Sequence, residues 1–96
     1  MDENKLIRET ERGKRAKRIL EDELWIEAWA SIETGLLNGW KNSPARDTEG
    51  REALWVALQM AEKVRNLFES HMKTGQMAEM QLEKANEQRT RTKRPR

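Results

Sequence analysis

The chain has 96 residues, 38% of them charged and 35% hydrophobic, with a mean hydropathy of −1.05 and a formal net charge of +2. That length allows one domain, and so polar a composition leaves a thin core, for which self-association is the usual remedy. The absence of cysteine excludes disulfides, thiolate metal sites and cysteine nucleophiles. No apolar run approaches the roughly 20 residues needed to span a bilayer, and the first residues, Met1 to Lys5, lack the apolar core of a signal peptide.

Charge is unevenly distributed. Residues 1–18 carry seven basic and four acidic side chains and residues 19–47 two and six. Residues 48–75 carry four of each, and residues 76–96 six and three. Both ends are therefore basic, and the trunk is acidic or neutral.

In chain order, residues 1–10 offer only Leu6 and Ile7 as large aliphatic side chains inside the segment, so a frayed N-terminus is expected, with Thr10 as the N-cap of the first strong helix. A helix is predicted from Glu11 to Lys41, interrupted by nothing stronger than Gly13, Gly35 and Gly39, each costing about 1 kcal/mol relative to Ala. Trp25, Trp29, Ile32, Leu36 and Trp40 recur in steps of four and three and form its apolar face, with Ile19, Ile26 and Leu37 on a shoulder beside it. Residues 42–47, Asn-Ser-Pro-Ala-Arg-Asp, form the turn: Pro44 disfavours helix at Ser43, and either Ser43 or, preferably, Asp47 caps the next helix.

The second helix carries the longest pattern. Gly50, Leu54, Ala57, Ala61, Val64, Phe68, His71, Gly75, Ala78, Leu82 and Ala85 alternate steps of four and three without a break, which keeps one stripe on one face. The stripe crosses Gly75 in register, so the helix is read as continuous to about Gln88. Residues 89–96 hold no apolar side chain and are expected to be a disordered basic tail.

Together these elements predict an all-α fold: a long antiparallel helical hairpin over residues 11–88 with a coiled-coil-like 4-3 seam. Folding at Pro44 and Ala45 places Trp29 opposite Ala61, Ile32 opposite Leu58, Trp40 opposite Gly50, and Trp25 near Val64 and Arg65. The apolar arcs are wider than one seam requires. Ile26, Leu37 and Trp55 are accordingly the candidate oligomer interface, through which hairpins pair into a helical bundle.

No catalytic, metal or cofactor motif is visible. His71 falls on the seam without a second ligand, Glu21, Asp22 and Glu23 point in different directions on a helix, and Ser31, Ser43 and Ser70 have no base beside them. Two basic clusters are the candidate nucleic-acid contacts: Arg12, Lys14, Arg15, Lys17 and Arg18 with Lys73, and Arg89, Arg91, Lys93, Arg94 and Arg96 in the tail. Such residues bind phosphates of DNA or RNA without sequence preference. The alternative is that they keep a helix start and a tail in solution. The four tryptophans lie in the acidic to neutral trunk, away from these clusters; Trp25, Trp29 and Trp40 read as packing residues and Trp55 as part of a second interface.

The stretches Gly13-Lys-Arg-Ala-Lys-Arg18, Leu24-Trp-Ile-Glu-Ala-Trp29 and Trp40 to Trp55 resemble a group of small tailed-bacteriophage proteins encoded among head and DNA-packaging genes. The resemblance spans residues 13–85 and brings no functional residue with it. It implies a non-enzymatic accessory protein of virion assembly, in host cytoplasm or virion, that partners phage structural or packaging proteins. Arg46, Asp47, Arg51 and Glu52 at the turn become candidate partner contacts, with helix capping and exposed charge as the equal alternative, and a protein-only adaptor using the Trp55 face and residues 42–52 is the competing expectation.

Overall fold

The computed structural model describes residues 2–93, with side chains as far as Thr90. It is all-helical: α1 spans Glu3–Glu21, α2 Glu23–Asn42 and α3 Thr48–Lys93, with no strand among the described residues. Contacts divide the chain into two compact units. Unit 1 comprises Met1–Arg18 and Glu69–Arg96, and unit 2 comprises Ile19–Phe68. By sequence, unit 1 holds fourteen basic and eight acidic residues and unit 2 five and nine, giving charges of +6 and −4.

α1 begins at Glu3, so residues 3–10 are helical rather than frayed. Asp2 supplies the cap: its Oδ1 accepts from the Asn4 N–H at 3.0 Å, and its carbonyl accepts from the Leu6 N–H at 3.2 Å. Thr10 is not an N-cap. It is buried in mid-helix, where its hydroxyl donates to the Leu6 carbonyl at 2.8 Å and so avoids an unpaired polar group.

The predicted helix over residues 11–41 is two helices. Asp22 takes extended φ/ψ (−69°, 129°), and its Oδ1 accepts from the Leu24 N–H at 2.8 Å, ending α1 and capping α2. At the far end of α2, the Ser43 hydroxyl donates to the Trp40 carbonyl at 2.6 Å. Arg51 Nη1 lies within hydrogen-bond reach of the Trp40 carbonyl (3.2 Å), the Ser43 carbonyl (3.2 Å) and the Ser43 hydroxyl (2.9 Å). Its guanidinium also sits 4.2 Å from the Trp40 ring centroid. Asp47 starts α3, accepting from the Gly50 N–H at 3.0 Å. α3 passes through Gly75 unbroken and reaches Lys93, so the disorder expected from Arg89 onward does not cover residues 89–93; residues 94–96 lie outside the described ones.

Unit 1 is packed on small side chains. Leu6, Thr10, Gly13 and Ala16 of α1 are buried, as are Gly75 and Ala78 of α3. Unit 2 is packed on rings. Trp25 meets Trp29 edge to face at 5.4 Å and Phe68 at 4.8 Å, while Arg65 lies 5.7 Å above Trp29 and pairs with Glu33. Levels counted from Pro44 place Trp25 beside Val64 and Arg65 instead. Long helical side chains lean toward the N-terminus of their own helix, so the Trp25 ring lies about a turn away from the level of its Cα.

The α3 stripe departs from expectation at two positions. Gly50, Leu54, Ala57, Ala61, Phe68, Gly75, Ala78, Leu82 and Ala85 are covered in part or in full, but Val64 and His71 are exposed, and the half-buried residues next to them are Arg65 and Met72. The guanidinium of Arg65 finds a ring and a carboxylate there, and Met72 is a flexible apolar filler, whereas the imidazole of His71 stays in water.

Candidate functional site

Two exposed surfaces carry the candidate residues, one in each unit. In unit 2, no residue among the described ones is buried, although this unit holds all four tryptophans and Phe68. Of the fourteen large hydrophobic side chains left exposed among the described residues, eleven belong to unit 2, so the unpartnered apolar surface is concentrated there. Leu37 and Trp55 are among them, 43% and 56% exposed, and with Leu36, Trp40, Leu54 and Leu58 they line one open apolar cavity of about 190 Å³. Ile26 is equally uncovered but does not line that cavity. The structure thus brings two of the three candidate interface residues together, and adds Trp40, which the sequence reads as seam but which remains exposed.

In unit 1 the basic candidates separate. Lys14 lies 3.9 Å from Glu79, and both line a cleft of about 190 Å³ with Lys17, Gln76, Thr10 and Gly13. Arg12, Arg15, Arg18 and Lys73 are exposed. Arg89 pairs with Glu3, which lies eleven residues or about 16 Å of helix from Lys14. The start of the tail therefore meets the beginning of α1, about the level that counting back from the turn gives it, rather than converging on the 12–18 segment. The side chains of Arg91 and Lys93, and the whole of Arg94 and Arg96, lie outside the described residues. Because α1 starts at Glu3, exposed Lys5 and Arg8 join the basic residues on it. A helix count extended to the N-terminus would have found them.

His71 is exposed, and no group of three or more His, Cys, Asp or Glu side chains converges on a metal position among the described residues. Asp22 and Ser43 serve as helix caps. No helix of the described residues is long and apolar enough to cross a membrane. Comparison with family models, curated proteins and solved structures gives no match to this chain.

Proposed function

We propose that this chain is a non-enzymatic assembly protein that works as an oligomer, burying the apolar surface of unit 2 against a second copy, with the basic residues of unit 1 left to contact DNA without sequence preference. The observation that carries the reading is the concentration of exposed large hydrophobic side chains in a unit with nothing buried. A protomer in that state gains far more from pairing than one with a closed core. In the finer architecture, each protomer is an antiparallel helical hairpin and two hairpins form a four-helix bundle. Support comes from the residues that meet within each unit: Glu3 with Arg89 and Lys14 with Glu79 in one, Trp25 with Phe68 and Trp40 with Arg51 in the other. A place in phage head assembly or DNA packaging rests on the sequence resemblance alone.

The competing reading is a protein-only adaptor, favoured by the cavity that Leu37, Trp40 and Trp55 line beside the turn. Light scattering on eluting protein, with and without duplex DNA at two salt concentrations, separates the two. The proposal expects a salt-sensitive oligomer–DNA complex, and the adaptor reading expects no response to DNA.

A further inference from the structure

α1 carries a second stripe, opposite its buried one. Arg8, Arg12 and Arg15 follow steps of four and three, all exposed. At 100° per residue they fall within about 60° of one another, on the side away from the buried Leu6, Thr10 and Gly13. Lys5 precedes them and Arg18 follows. The ion pairs among the described residues do not take up Arg8, Arg12, Arg15 or Arg18. The neighbouring carboxylates of Glu3 and Glu9 are engaged, with Arg89 and Lys5 respectively, while Glu11 shares the exposed side.

We infer that this arginine stripe is the surface on which unit 1 lies along the phosphate backbone of a nucleic-acid duplex, an inference that rests on the DNA-contact part of the proposed function. From Arg8 to Arg15 the helix advances about 10 Å, roughly the rise of three phosphates along one strand of a duplex. Arginine presents a planar fork that binds phosphate oxygens bidentately. A duplex is favoured over a single strand because single-strand binding uses aromatic stacking platforms, and Trp25, Trp29, Trp40, Trp55 and Phe68 all belong to unit 2. Lys14 and Lys17 are secondary: they line the cleft with Glu79.

The test uses the full chain and a labelled DNA duplex of about 20 base pairs, with affinity measured between about 50 and 200 mM salt. Arg8→Gln, Arg12→Gln and Arg15→Gln together should lower the log–log salt slope by up to about 2.7, at about 0.9 per phosphate contact, with helix content unchanged. The charge-matched triple Lys41→Gln, Lys63→Gln and Lys84→Gln should leave the slope near that of the native chain. An arginine triple that loses no more than the lysine triple overturns the inference and leaves DNA binding standing. A native chain that ignores the duplex at low salt overturns both. Displacement of the duplex by polyglutamate at equal charge concentration overturns it in favour of an acidic protein partner.

Discussion

Gly13 and Gly75 meet backbone to backbone: a Cβ built on either would lie 2.6 Å from the Cα of the other. The His71 and Glu9 carbonyls close the same contact, at 3.0 Å from a Cβ on Gly13 and 2.8 Å from one on Gly75. Only glycine permits that approach. In most helix interiors, replacing Gly by Ala stabilises by about 1 kcal/mol. Here the methyl has no space, and the sign inverts. Gly13→Ala or Gly75→Ala should lower stability by about 1–3 kcal/mol through overpacking. Gly35→Ala, where a Cβ meets nothing within 4 Å, should raise it by up to about 1 kcal/mol. Thermal melts of the three variants check this, and equal shifts for Gly13→Ala and Gly35→Ala would show that the close contact does not form.

Asp22 divides what periodicity reads as one helix. Its carboxylate holds the Leu24 N–H while its backbone leaves the helical region. Asp22→Ala should cost about 0.5–2 kcal/mol, and Asp22→Ser should restore most of it, because serine caps nearly as well. Denaturant titration of both variants decides the matter. An alanine variant that gains stability would mean that α1 and α2 prefer to run as one helix.

Met72 and His71 differ by one residue and by one face. Met72 is half-buried and lines the unit 1 cleft, whereas His71 is exposed. Met72→Glu should therefore destabilise by about 1–3 kcal/mol, since it puts a charge against partly covered apolar surface. His71→Glu should stay within about 0.5 kcal/mol of the native chain. The reverse order in a chemical denaturation series would restore His71 to the seam.

The helical class and the Asp47 cap are legible in the sequence because apolar spacing and cap chemistry are local signals. Half of unit 1 is not. The buried stripe of α1, Leu6, Thr10, Gly13 and Ala16, contains a single large apolar residue and so leaves no trace in a hydrophobic pattern. What marks it is the fit of Gly13 to Gly75, a long-range relationship. The row beside Ala61 and Phe68 escapes periodicity for a related reason. Val64 is the more apolar residue, but Arg65 has partners in Trp29 and Glu33. Among the candidate contacts, Ile26, Leu37 and Trp55 are legible as surplus apolar residues, while the arginine stripe emerges only once α1 is known to begin at Glu3.

The central claim is that unit 2 buries its apolar surface against a second copy, and molar mass across a wide dilution series tests it most directly. The native chain should have at least twice the 11.3 kDa of one protomer. Leu37→Glu with Trp55→Glu, which places two carboxylates in the exposed apolar cavity, should return it to the protomer mass with most of its helix content intact. A native chain that remains fully folded at 11.3 kDa at every concentration would contradict the claim.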